Sequence, residues 1–298
     1  MATLNSTASR SHRKIALIIG NQHYIRSEDR LRHCINDADD LSSVLRNIKF
    51  QVKTAHDLTK SQMVSTISAF SETIVDGDLV MFYFSGHGYH INGRTYLAHV
   101  DDDLIKSDED VEDYCTCVER TLHQLRQKNR SFVTVFILDC CRVHYPKNKK
   151  QRKAKLEDIS LHTMEVPHGS YVVFACSPNQ IASDGDITER NGLFAKHLLK
   201  HIAKPNKDIT QLFRTVANGV CIESKQKQKP IRMDGLMRLE HISLNEKPVT
   251  VHSASSTRPS SRIKISSTTT AKPAVIPPTT TTIKDQQTQN KMKKHSTC

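Results

Sequence analysis

Apolar residues recur along this chain in two alternating patterns. Continuous runs at Ile15 to Ile19, Leu79 to Phe84, Phe132 to Leu138 and Tyr171 to Cys176 carry no polar alternation. That is the signature of parallel strands covered on both faces. Phe50 to Ala55 alternates and reads as a further strand. Helical spacing lies between the strands. Ala38, Leu41, Val44, Leu45 and Ile48 share a face within Asp37 to Ile48, and Met63, Ile67 and Phe70 share one behind Thr59, a capping residue. Val111 to Gln127 predicts one helix with acids at its start, and Leu193 to Ile202 and Asp208 to Ile222 predict two more. Tyr89 to His99 predicts a hairpin turning at Asn92-Gly93, and Pro230 to Met233 a short closing strand. Strands alternating with helices of about 12 residues predict an α/β fold with a mostly parallel sheet and helices on both faces.

The pattern stops near Glu246. Ser253 to Pro259, Ser266 to Ala271 and Pro277 to Thr282 are rich in Ser, Thr and Pro. Such segments bury too little apolar surface to offset their ordering entropy, so 245–298 is expected to be a disordered C-terminal tail. Residues 1–12 read as a flexible leader, which leaves 13–244 as the folded part.

Composition narrows the setting. No apolar run approaches the roughly 18 residues of a membrane span, so no membrane partner is expected. Met1 to Thr7 is polar, and the eight cysteines lack framework spacing. Reduced thiols and a cytoplasmic location follow, with the nucleus left open. The net charge of +12 gathers in runs such as Lys147 to Lys155 and Lys225 to Lys229. Without interleaved aromatics these runs predict no specific nucleic-acid partner.

Two stretches carry reactive side chains. Phe84-Ser85-Gly86-His87-Gly88 and Leu138-Asp139-Cys140-Cys141-Arg142 each follow a buried strand, and His87 precedes Cys141 by 54 positions. An imidazole and a thiol just past carboxyl ends of a sheet suit nucleophilic catalysis. Glycines flanking His87 permit close backbone approach, and the Gly88 and Cys141 N–H groups are placed to share an oxyanion hole. By strand alternation Cys140 faces away from Cys141, yet it stays the alternative nucleophile.

These residues resemble the caspase-like cysteine peptidases, the clan of caspases, metacaspases and paracaspases. The likeness runs from about Lys14 to Met237 and includes Ala16 to Asn21, Asp57-Leu58-Thr59, Gly86 to Tyr89 and Asn191-Gly192-Leu193-Phe194. Asp139-Cys140-Cys141-Arg142 departs from the Gln-Ala-Cys box of caspases and lacks the continuation usual in metacaspases. It is most similar to the Asp-x-Cys-Arg box of the paracaspase domain, and that spacing favours Cys141. The resemblance implies a three-layer sandwich: a larger part to about 142, a basic linker at about 143–168 and a smaller part at 169–244. It also implies an acidic pocket for a basic P1 residue. The matching acids are Asp37, Asp139 and Asp184, with Asp186 as alternative to the last. A protein or peptide substrate cut after Arg, or Lys, is therefore expected, and the Arg142 to Lys155 stretch reads either as a self-cleavage site or as a flexible charged loop.

No cofactor is expected, with calcium, which metacaspases often use, kept as the alternative. The acids at Asp101 to Asp103 and Asp108 to Asp110 lack EF-hand spacing for calcium, and Cys115-Thr116-Cys117 makes no zinc set. A homodimer through the Pro230 to Met233 edge is plausible. One rival function is a non-catalytic scaffold. Another is a redox sensor built on Cys140 and Cys141, which would need a strained vicinal disulfide.

Overall fold

The computed structural model describes residues 12–142, 164–236 and 241–247. Most of the expected leader, the expected self-cleavage stretch beyond Arg142, and the expected tail from 248 onward lie outside the described residues. The sheet is built from β1 (Lys14–Gly20), β2 (Gln51–His56), β3 (Leu79–Gly86), β7 (Thr134–Cys140), β8 (Ser170–Phe174) and β9 (Ile231–Asp234), in the order β2-β1-β3-β7-β8-β9. Every pairing is parallel except β8 with β9. The two central strands, β3 and β7, are buried at every position, as their uninterrupted apolar runs require.

Strand alternation sorts the core into two halves. Ala16, Ile18, Met81, Tyr83, Val135, Ile137 and Val173 face α1 (Cys34–Asn47), α5 (Leu193–His201) and α6 (Ile209–Glu223). Ile15, Leu17, Ile19, Val80, Phe82, Phe84, Phe136 and Leu138 face α2 (Lys60–Thr73) and α4 (Val118–Lys128). The result is the three-layer sandwich expected from the sequence. Asp139 and Cys140 follow the same rule: the thiol joins the α2–α4 core, and the carboxylate points to the α1–α5 side. At the end of the expected linker, Met164 is buried against the α2–α4 core with Val166 beside it.

A small second sheet comprises β4 (Gly88–Ile91), β5 (Arg94–Leu97) and β6 (Thr116–Cys117). Asn92 and Gly93 turn the hairpin with φ of 50° and 76°, as an Asn-Gly pair does in a type I′ turn. The single helix expected over Val111 to Gln127 is corrected here. The chain forms α3 (Asp108–Tyr114), leaves the helix at Cys115 in extended backbone, pairs as β6, and re-enters helix at Val118. Tyr-Cys-Thr-Cys is a weak helix former, and pairing with Tyr96 and Leu97 outweighs it. The acid fringe sits in the first turn of α3, behind a Ser107 cap, where the helix dipole favours it.

Thr59 caps α2 in a reciprocal box with Gln62. Thr59→Ala should lower unfolding free energy by about 1 kcal/mol, read from the midpoint of a urea titration.

Candidate active site

The register of β3 against β7 sets the geometry. Ser85 pairs with Asp139 and Gly86 with Cys140, so the next residues, His87 and Cys141, leave neighbouring strands at the same level. Both line one cleft of about 520 Å³, together with Gly88, Asp37, Asp139 and Asp184. All the residues singled out for the site in the sequence except Asp186, the alternative to Asp184, thus meet in one depression at the carboxyl ends of the strands.

His87 is held from three sides. Its Nε2 lies 2.6 Å from the carbonyl oxygen of Asp29. A carbonyl only accepts, so Nε2 carries the hydrogen, and Nδ1 is the basic nitrogen of the neutral ring. The His87 amide donates to the Tyr24 hydroxyl at 2.7 Å, and the tyrosine ring leans on the imidazole with centroids 4.4 Å apart. The His87 carbonyl accepts from the amide of Ala98. Asn21 braces that loop: its amide donates to the Ser85 carbonyl, its Nδ2 donates to Ala98, and its Oδ1 accepts from Leu58.

Gly88 is required by close approach. A Cβ there would stand 2.6 Å from both the Cys140 sulfur and the Cys141 carbonyl oxygen. In the hairpin, Gly88 pairs with Leu97 next to the His87–Ala98 hydrogen bond. Antiparallel alternation therefore turns the Gly88 N–H away from β5.

The two adjacent thiols differ sharply. Cys140 is 1% exposed, and burial pushes its thiol well up, with Cys176 and Cys141 adding to the effect. Cys141 is only half-buried, and its Sγ lies 3.8 Å from the Ala182 carbonyl oxygen. Arg142 anchors the loop that follows. Its guanidinium lies 4.0 Å over the Phe174 ring, and its backbone bonds Gln180 and Asn179.

The acids line the α1–α5 side of the cleft. Asp37 is buried, which pushes its carboxyl up to about 6, although Gly192 N–H, Asn191 and Ser85 donate to it. The Asp139 carboxyl is also raised, by burial first and then by the charge of Asp37. Tyr83 Oη donates to it at 3.2 Å, and so does the amide of Ala195. Gly192 caps α5 and Ala195 lies in its first turn, and their amides donate to the two carboxylates. Asp184 accepts from the amides of Arg32 and His33, at 2.8 and 3.3 Å. Asp186, the alternative to it, lines a neighbouring cleft and caps Thr188 instead.

Tyr24, Asn21, the Asp29 carbonyl and Ser85 were not singled out in the sequence. Their partners lie tens of residues away, and no local spacing signals them. Asn21 and Gly192 fall inside the stretches that resemble the clan, though without an assigned role.

A family model described as Caspase domain matches residues 13–238. The chain is 30% identical over 217 residues to the human mucosa-associated lymphoid tissue lymphoma translocation protein 1, covering 72% of this chain and 25% of that protein. It is 23% identical to the paracaspase of Dictyostelium discoideum, covering 68% of this chain and 47% of that one. The chain thus spans about a quarter and about half of their lengths. In fold it is similar to caspase-1 of Spodoptera frugiperda, with a TM-score of 0.57, 17% identity, and 79% and 91% of the two chains covered.

Burial separates the thiols experimentally. Brief alkylation of the native chain with iodoacetamide, mapped by peptide mass spectrometry, should modify Cys141 at least about tenfold faster than Cys140, Cys34 or Cys176, since thiols raised by burial hold little thiolate. Faster labelling of Cys140 would reverse the assignment.

Proposed function

The chain belongs to the caspase-domain family, and from that premise we propose that it is a cysteine endopeptidase that uses a His87–Cys141 dyad to cleave after Arg, and less readily after Lys. One observation carries this reading: a half-buried thiol, an oriented imidazole and three carboxylates share a single cleft. A thiol and imidazole alone would suit many chemistries. Three acids beside them suit a substrate with a fixed cation.

In this mechanism Nδ1 of His87 takes the Cys141 proton, and the thiolate attacks the scissile carbonyl carbon. The oxygen gains negative charge and accepts from the Gly88 and Cys141 amides. The imidazolium then gives its proton to the leaving amine as the C–N bond breaks. Water, deprotonated by His87, attacks the thioester and releases the carboxylate product and the thiol. The Asp29 carbonyl keeps the ring in one tautomer and favours the imidazolium as it forms, so the backbone fills the orienting role that a third side chain plays elsewhere. The substrate guanidinium enters among Asp37, Asp139 and Asp184. It fits two buried carboxylates better than a lysine ammonium does, because its planar fork donates to both.

The test is turnover of matched fluorogenic peptides ending in Arg, Lys or Asp. Arg-ended peptide should be hydrolysed, Asp-ended peptide not, and Cys141→Ala should lose at least about three orders of magnitude in kcat/KM. Asp37→Asn should raise KM for the Arg-ended peptide by about a hundredfold, the scale of leaving one charge of a buried pair uncompensated. No turnover of any peptide by the dimerised chain would favour the scaffold.

Acid should weaken binding of the Arg-ended peptide. Asp37 titrates near 6 in the free protein, so its charge is present above that pH and lost below it. KM should rise as pH falls through about 6, measured at constant ionic strength.

A further inference from the structure

Three cysteines gather where β7 and β8 leave the sheet. Cys140 ends β7, Cys141 follows it, and Cys176 lies two residues past the end of β8. The parallel pairing runs up to Leu138 opposite Phe174, and the Ala175 amide extends it by donating to the Leu138 carbonyl at 2.9 Å. Two further steps along each chain bring Cys176 level with Cys140. Neighbouring strands lie about 4.8 Å apart and each residue advances about 3.3 Å, so Cys176 and Cys141, one step out of level, fall about 6 Å apart between Cα atoms. Disulfides form at about that separation.

The side chain of Cys176 turns toward that neighbour. Its Sγ lies 3.4 Å from the carbonyl oxygen of Cys140 and 3.2 Å from that of Gln180, and the Arg142 amide reaches the same sulfur. The Cys140 carbonyl and the Arg142 amide belong to the two peptide groups that flank Cys141. The Cys176 sulfur is therefore seated against the backbone of the half-buried thiol in the cleft. Cys176 itself is fully buried, and burial first, then a charge on Cys141, push its thiol up to about 12. Beside it stands a buried cation. Arg142 is 3% exposed, and its Nε and Nη1 have no hydrogen-bond partner among the described residues. A thiolate on Cys176 is the first charge that would balance this guanidinium, with Cys140 next.

We infer that Cys176 is a resolving thiol, which captures Cys141 as a reversible disulfide after a hydroperoxide has oxidised it. In the first step the Cys141 thiolate attacks one peroxide oxygen. The S–O bond forms, the O–O bond breaks, and the second oxygen leaves as hydroxide. The sulfur gives two electrons to the peroxide and becomes a sulfenic acid. The Cys176 sulfur then attacks the Cys141 sulfur. The S–S bond forms, the S–O bond breaks, and the departing hydroxide takes the Cys176 proton as water. A dithiol reductant restores both thiols and is itself oxidised to a disulfide. Burial suits Cys176 to this part. It shows the oxidant little thiolate, yet a sulfenic acid held against it needs no diffusion to be met. Arg142 offsets the charge on the sulfur as its proton leaves. Cys140 is the competing partner, but its thiol packs into the α2–α4 core, and a bridge between adjacent residues is strained. Cys34 lines the same cleft among Ser85 and the three acids instead. The bridge depends on where the sulfurs lie and not on the reaction proposed for Cys141.

The experiment compares the parent chain with Cys176→Ser and Cys140→Ala, after melting curves show which variants are folded. Each is exposed briefly to hydrogen peroxide, quenched with catalase, blocked with N-ethylmaleimide in denaturant, digested without reductant and mapped by mass spectrometry. The peptide carrying Cys141 should be joined to the one carrying Cys176 in the parent and in Cys140→Ala. In Cys176→Ser that bridge should be missing, with Cys141 carried on to the sulfinic acid, which thiols do not reverse. Dithiothreitol should then restore at least about fivefold more hydrolysis of the Arg-ended peptide to the parent than to Cys176→Ser. A bridge that disappears in Cys140→Ala, or sulfinic Cys141 in the parent with no bridge, would overturn the resolving role, and these two maps decide it even where Cys176→Ser does not fold. An untreated parent that cleaves no peptide but forms the bridge would overturn the peptidase reading and uphold the resolving thiol.

Discussion

One strand pairing determines where the chemistry falls. β3 and β7 lie side by side at the centre of the sheet with Gly86 opposite Cys140. Because side chains alternate along a strand, a slip of one residue would turn Asp139 into the α2–α4 core and lift Cys140 toward the α1–α5 face. The two continuous apolar runs protect against that slip. Phe82 stacks on Phe136 with ring centroids 4.3 Å apart, and the alternating neighbours fill both cores. Packing on each face of the sheet thus buries the Cys140 thiol in the α2–α4 core and leaves the Cys141 thiol half-exposed.

The second constraint is the burial of charge. Burial raises both Asp37 and Asp139, and the charge of Asp37 raises Asp139 again. The amino end of α5 faces both, and no acid of its own occupies its first turn. The usual relation of a helix to its cap is supplied from two other elements, α1 and β7, and the helix terminus gives the carboxylates a positive pole to face. That arrangement ties the slope of α5 to the position of the acids. It also explains why a glycine begins the helix where Ser, Thr or Asp would normally cap it: Asp37 already fills the capping position from outside.

Much of this architecture is legible in the sequence, for a physical reason. Strands buried on both faces must be apolar throughout, and helices against them must be apolar on one side, so periodicity alone places β1, β3, β7 and β8 and five of the helices. The reactive residues are legible because they interrupt these runs: Gly86-His87-Gly88 and Asp139 to Arg142 bring polar and small residues where apolar ones end. The break within Val111 to Gln127 escaped because it exists to complete a sheet whose partner strand lies about twenty residues earlier. Ser85, Tyr24, Asn21 and the Asp29 carbonyl escaped for a related reason. A serine at the end of a strand looks like any other, and a backbone carbonyl carries no sequence signature. Their significance comes from what the fold brings against them.

The depth of the acids also resolves an electrostatic difficulty. The chain carries a net charge of +12, which would repel the basic peptide proposed above as its substrate at a distance. Surface charges act over only about 8 Å at physiological salt, so acids on the rim would be largely screened. Carboxylates below the surface act at contact, where water and salt are excluded and a fork of donors can meet them directly. Under the Arg-selective function proposed above, discrimination would therefore occur inside the cleft rather than during approach. The cost is two carboxylates that burial disfavours in the empty protein, and Ser85, Tyr83 and the first turn of α5 are the donors that offset it.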